Sequence, residues 1–169
     1  MKRLMPIISI LVFLSLSMMG CRERCPDGNY VETMDEEQNE MVSLINDARA
    51  DAGVPPLTDT ILRLVAIDHS QDMACRDFFD HVNPDGEDKS DRVRNGLPES
   101  YPPPYRWIAE NIGAGRPTAR EQFEGWMNSE GHRDNILDDR ANDVGIGAVH
   151  KSRGSTYTHY WTALFIGTR

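Results

Sequence analysis

The chain has 169 residues, 27% of them charged, and its 18 Lys+Arg against 27 Asp+Glu give a formal charge of −9. That length fits one domain, and without the first twenty residues, which carry only Lys2 and Arg3 as charges, 16 basic side chains face 27 acidic ones for −11. Such a surface repels phosphate backbones and no basic stripe offsets it, which argues against nucleic acid as a partner.

Lys2-Arg3 followed by Leu4 to Met19, a run without charge and dense in Ile, Leu, Val, Phe and Met, has the basic-then-apolar order of a secretory leader. The run falls a little short of the about 20 apolar residues that span a bilayer. Residues 1–20 therefore read as a signal peptide in preference to a retained membrane helix. Ser17-Met18-Met19-Gly20-Cys21 places a small residue directly before a cysteine and resembles a bacterial lipoprotein processing site, with Met18 where leucine is usual. Cys21 is then the lipidated first residue of an exported chain held at the membrane. An ordinary signal cut nearby would instead leave Cys21 a thiol. Lipidation leaves Cys25 and Cys75 as an even pair in a compartment where disulfides persist, a possible bridge between the N-terminal segment and the domain.

Residues 21–35 are polar and turn-rich and read as a tether. From about Glu36 the periodicity predicts a helix with Met41, Leu44, Ile45, Ala48 and Ala52 on one face, stopped by Gly53 and Pro55-Pro56. Thr58 or Asp59 can cap a second helix, with Leu62, Val65, Ala66, His69 and Met73 inward, running to about Arg76. Asn83-Pro84-Asp85-Gly86 is a turn signal, and Ser90 to Asn95 reads as a short helix ended by Gly96. Leu97 to Gly115, rich in Pro and Gly but holding Tyr101, Tyr105, Trp107 and Ile108, reads as a long packed loop. Thr118-Ala119-Arg120-Glu121 is a capping box opening a helix with Phe123, Trp126 and Met127 inward, and a helical turn runs through His132 to Leu137. Val144 to Ala148 alternates, a turn follows, and Thr156 to Ile166 is rich in β-branched and aromatic residues, predicting a terminal antiparallel hairpin. Helices first and strands last describe an α+β fold.

Residue chemistry alone is sparse. There is no phosphate-binding glycine loop, Gly-x-Ser-x-Gly elbow, His-Glu-x-x-His or Cys-x-x-Cys. Cys75 with a histidine could form a nucleophile pair, but its place near a helix end in an oxidising compartment favours a disulfide. His69 falls on a core face and reads as structural, and His150 and His159 as strand-face residues. His81 and His132 sit at element ends beside turns, where site residues collect, and Glu110 lies in the Pro/Gly-rich segment. Two imidazoles and a carboxylate form a borderline-metal donor set, for which zinc is the best match. Asn111 and Asn135 are expected to bond backbone in irregular segments, Arg133 to pair with a carboxylate, and Gly145 and Gly147 to permit close backbone packing within the sheet.

The order of the segments Phe79-Asp80-His81-Val82-Asn83-Pro84-Asp85-Gly86, Ala109-Glu110-Asn111-Ile112, Gly125-Trp126-Met127-Asn128-Ser129-Glu130-Gly131-His132-Arg133-Asp134-Asn135-Ile136-Leu137 and Val144-Gly145-Ile146-Gly147 resembles the bacterial branch of the CAP superfamily, the SCP-domain proteins that include cysteine-rich secretory proteins, antigen 5 and pathogenesis-related proteins. The resemblance covers about residues 36–167. It implies an α-β-α sandwich, a small antiparallel sheet between helical layers, over a CAP/SCP domain at 36–169. It also implies a cleft in which His81, Glu110 and His132 match two histidines and one acid. The second acid of animal and plant members falls here on Ser129; Glu130 is one residue on, a turn of about 100° around a helix. Ser129 and Glu130 are thus cleft-lining candidates.

Two functions follow as expectations. One is a non-catalytic binding module of the cell envelope, exported or lipid-anchored through Cys21, whose His/Glu cleft holds a divalent cation, zinc by its donors, beneath a lipid or cell-wall ligand. The other is a metal-dependent hydrolase of peptide or cell-wall material, in which an open zinc position activates water. The sequence leaves catalysis itself undecided.

Overall fold

The computed structural model describes residues 22–98, 101 and 105–167. Residues 1–20, read as a signal peptide, and Cys21 lie outside the described residues.

The segment read as a tether is folded. Arg22–Arg24 (β1) and Tyr30–Thr33 (β2) form an antiparallel ribbon, and β2 continues onto the main sheet. Two ties, one covalent and one polar, make this possible in so polar a stretch. Cys25 and Cys75 are joined by a disulfide. Lys151, fully buried, donates to Asp27 Oδ2 (2.8 Å) and to the Ala74 and Gly154 carbonyls. The Lys151 ammonium is the main reason that the Asp27 carboxyl is held down at about 2.

Asp35–Asp51 (α1) opens with Asp35, Glu36 and Glu37 against the positive end of the helix dipole. Its inward row is Gln38, Met41, Ile45 and Arg49, whereas Ala52, predicted on the apolar face, is exposed. The two ends of the row are polar because each side chain finds carbonyl partners: Gln38 Nε2 reaches Ala148 O at 3.1 Å. Arg49, 0% exposed, donates to the carbonyls of Pro55, Ile136, Asp138 and Ala141.

Thr58–Asp59 (β3) pairs in parallel with a later strand and does not cap the next helix, whose N-cap position is Ile61. Leu62–Arg76 (α2) buries the predicted face of Leu62, Val65, Ala66, His69 and Met73, and ends at Asp77 with φ 53. Lys89–Gly96 (α3) carries a full capping box between Asp88 and Asp91. The predicted long loop from Leu97 to Gly115 is corrected over its second half, where Trp107–Ala114 is a strand (β4). Its alternation is blurred by Glu110 and Gly113, and pairing along its length with the last strand makes it a strand. Ala119–Met127 (α4) starts at Thr118, whose side chain accepts from Glu121 N, and Glu130–Leu137 (α5) follows at once. Asp143–His150 (β5) and His159–Gly167 (β6) form the terminal hairpin.

The antiparallel order is β1-β2-β5-β6-β4, leaving β4 at the edge. One face of the sheet meets α1, α4 and α5 around Met41, Ile45, Trp126, Ile136, Trp161 and Phe165. The other meets α2 and α3 around Leu62, Val65, Ala66, Leu164 and Ile166. This is a three-layer α-β-α sandwich. Helix α2 lies almost on the backbone of β5: a Cβ on Gly147 would sit 2.2 Å from Ala66 O, and one on Gly145 2.2 Å from Leu62 C. Among the described residues no helix is long and apolar enough to cross a membrane.

Candidate functional site

The loop between α2 and α3 carries His81, and a polar scaffold shapes it. Asn83 Oδ1 accepts from the backbone N–H groups of Asp85 and Glu87, and Asn83 Nδ2 donates to Glu87. His81 Nδ1 lies 2.8 Å from Glu110 Oε1, and the Glu110 side chain is 1% exposed on β4 while that of His81 is 51% exposed. The second oxygen of Glu110 accepts from Arg92 Nη2 at 2.6 Å. Arg92 Nη1 donates at 2.9 Å to the carbonyls of His81 and Glu87. One guanidinium on α3 therefore holds both the backbone and the carboxylate that orient the His81 ring. Burial pushes the Glu110 carboxyl up, but His81 and Arg92 outweigh it and hold the group below its ordinary range.

His132 approaches from the opposite helical layer, in the first turn of α5. Asn111 on β4 donates to the His132 carbonyl (2.9 Å), and Asn135 donates to Asn111 Oδ1 (2.8 Å), so β4 and α5 are locked together. Asn111 thus bonds backbone as predicted, but from a strand, and Asn135 bonds a side chain. Arg133 donates to the Met127 carbonyl where a carboxylate partner was expected. His132 Nδ1 is enclosed and has no partner among the described residues, which leaves Nε2 as its accessible nitrogen. Desolvation, then the nearby His81, lower its pKa, so the ring is neutral at neutral pH.

Ser129 and His132 line one cavity of about 240 Å³ at the end of β4; Glu130 is exposed and does not line it. His150 and His159 pair across β5 and β6 with ring centroids 4.8 Å apart. His69 is buried at 1% exposure, with Nε2 against the Asp80 carbonyl (3.1 Å). It thereby props the loop that leads to His81. Arg92, the functional residue that sequence reasoning misses, carries no local signal: a charged residue on an eight-residue helix ordinarily faces solvent.

Burial, more than any neighbouring charge, pushes His69 down to about 4. A histidine whose folded pKa lies below its unfolded 6.5 leaves stability intact above pH 6.5 and removes it as pH falls towards about 4, because the unfolded chain takes the proton first. Urea midpoints of the wild-type protein are expected to fall over that window, and His69→Gln, which can still donate to Asp80 O, is expected to flatten the fall. Parallel pH profiles for the two proteins would disprove the assignment.

The residues test poorly as a closed zinc site. Both oxygens of Glu110 are committed to His81 and Arg92, and a third donor besides the two imidazoles is not at hand. No cluster of three or more His, Cys, Asp or Glu able to hold a metal occurs among the described residues. A tightly held zinc takes three or four protein donors. Glu110 instead occupies the role of a carboxylate behind a histidine, fixing its ring and tautomer.

The fold is a three-layer sandwich in which the edge strand β4 carries Glu110, bonded to His81, and Asn111, bonded to the His132 backbone. The family model of CAP, the cysteine-rich secretory protein family, matches residues 42–165, and the chain belongs to this family. Among curated relatives, protein YkwD of Bacillus subtilis (strain 168) is 37% identical over 77% of this chain and 47% of its own length. The membrane protein YlbC of the same organism is 29% identical over 78% and 36%. The chain thus spans less than half the length of these curated relatives. Among solved structures, an extracellular SCP-domain protein of Bacillus anthracis str. Ames shares 27% identity at a TM-score of 0.67, over 79% of this chain and 41% of that one. An outer surface protein of Borrelia burgdorferi shares the fold, with 14% identity, a TM-score of 0.70 and 89% and 100% coverage.

Proposed function

We propose that this protein is an extracytoplasmic binding module of the cell envelope, exported by residues 1–20 and held at the membrane by lipid on Cys21, whose ligand lies over the cleft between His81 and His132. Relatives described as extracellular or outer-surface proteins support the location. The observation that carries the reading is the His81–Glu110–Arg92 hydrogen-bond chain, which fixes the orientation of the His81 ring, with His132 near enough for His81 to lower its pKa. Such a site holds and orients a ligand. A divalent cation meets it through the two imidazoles, loosely, with the ligand or water completing its shell.

Metal analysis of the exported protein beside His81→Ala and His132→Ala tests this. Zinc is expected to bind reversibly to the wild type, to be removed by dialysis, and to be lost in each variant. Tight zinc that survives either substitution would place the metal elsewhere and overturn the assignment. Hydrolysis of a peptide or peptidoglycan fragment that disappears in both variants would replace binding by metal-dependent hydrolysis.

A further inference from the structure

The cavity beside His132 is built around two side chains that lie over glycines. Gln122 on α4 is 1% exposed, and its Oε1 is enclosed without a partner among the described residues. Its amide lies flat against β4 at Gly113, where a Cβ would come within 2.3 Å of Nε2. Arg116, exposed at the rim, lies over Gly125, where a Cβ would be 2.7 Å from Cζ. Phe79 and Tyr157, edge to face with centroids 6.1 Å apart, form an apolar wall. Among the described residues no Asp or Glu lines the cavity, although the chain as a whole is strongly acidic.

A buried amide oxygen without a donor is costly unless something supplies the hydrogen bond. The group that satisfies both faces of a glutamine amide is another amide. The guanidinium beside it suits a carboxylate, which binds in bidentate fashion. At about 240 Å³ the cavity is below the roughly 300 Å³ where drug-sized pockets begin, so it holds one residue-sized group.

We infer that this cavity binds an N-acylated amino acid with a free carboxylate, Gln122 pairing with the amide, Arg116 with the acid, and the aromatic wall covering the side chain. This deepens the binding-module reading and rests on it. The same chemistry is presented by a free N-acyl amino acid and by the C-terminal residue of a peptide.

The test is an NMR titration of the exported protein with N-acetyl-alanine, N-acetyl-alanine amide, free alanine and tri-alanine. N-acetyl-alanine is expected to shift the Gln122 side-chain amide and the His132 ring. Removing either the acyl group, which loses the amide pairing with Gln122, or the acid, which loses the pairing with Arg116, is expected to weaken binding about tenfold, the scale of one net hydrogen bond. Gln122→Leu and Arg116→Met should each do the same, while the melting temperature of Gln122→Leu stays level or rises because an unpaired buried oxygen is gone. Tighter binding of tri-alanine assigns a peptide terminus, and tighter binding of N-acetyl-alanine a free acyl amino acid; both uphold the site. Equal binding by all probes, or binding indifferent to both substitutions, overturns it. So does the absence of any shift, and zinc uptake at His81 and His132 then still tests the cleft separately.

Discussion

Arg92→Ala is expected to destabilise the domain by about 3–5 kcal/mol, the cost of leaving one buried charge without its partner. The Arg92 side chain is 7% exposed and that of Glu110 1%. Without the guanidinium, the carboxylate keeps only His81, and the carbonyls of His81 and Glu87 lose their donor. The buried carboxylate then relieves its charge by taking up a proton, and a neutral carboxyl holds the His81 ring less firmly. Urea denaturation checks the size of the effect. Arg92→Lys should recover only part of it, since one ammonium cannot serve a carboxylate and two carbonyls in the fixed fork of a guanidinium. The double variant Arg92→Met/Glu110→Gln should be less destabilised than its two single variants added together, because the partner charge is gone as well. A loss below about 1 kcal/mol for Arg92→Ala, the size of an exposed pair, would show that water reaches Glu110 and that the buried pair is not what holds the site.

Arg49→Ala is expected to cost about 4 kcal/mol through a different mechanism. Among the described residues no carboxylate is bonded to Arg49. Its guanidinium donates instead to Pro55 O (2.7 Å), Ile136 O (2.8 Å), Asp138 O (2.9 Å) and Ala141 O (3.3 Å). Desolvation lowers its pKa, and the nearby Asp138 and Asp139 oppose that shift without reversing it. Helix α1, the segment after it and the end of α5 are therefore joined at one buried cation, and α5 carries His132. Arg49→Met keeps much of the volume and removes the donors. If hydrogen bonding dominates, it should be nearly as damaging as alanine in thermal melts. A methionine variant as stable as wild type would reduce Arg49 to a space-filling role.

The glycines of β5 show how the sequence and the fold divide the information. Their spacing in Val144-Gly145-Ile146-Gly147 is visible in the chain and points to close packing, but the partner is the backbone of α2 and not a neighbouring strand, and nothing in the strand names it. Helix faces were legible where apolar residues repeat, as in α2, since a period of 3.6 needs no partner to be recognised. Strand β4 was not: its pattern is interrupted by Glu110 and Gly113, and its strand character comes from pairing with β6. The same dependence on a partner explains β1 and β2, a polar segment that folds because Cys75 and Lys151 lie opposite it.

By itself the sequence determined the helical faces, the terminal hairpin and the family, all carried by local periodicity and by motif order. Tertiary structure alone decided what the candidate site residues can do. Whether a carboxylate is a free ligand or a hydrogen-bonded support depends on which donors surround it, and Arg92 reaches Glu110 only after α3 folds against β4. The Gln122 amide over Gly113, whose oxygen has no partner among the described residues, is of the same kind. Desolvation and hydrogen-bond partnership belong to groups distant in the chain, so they come into being only when the chain closes on itself.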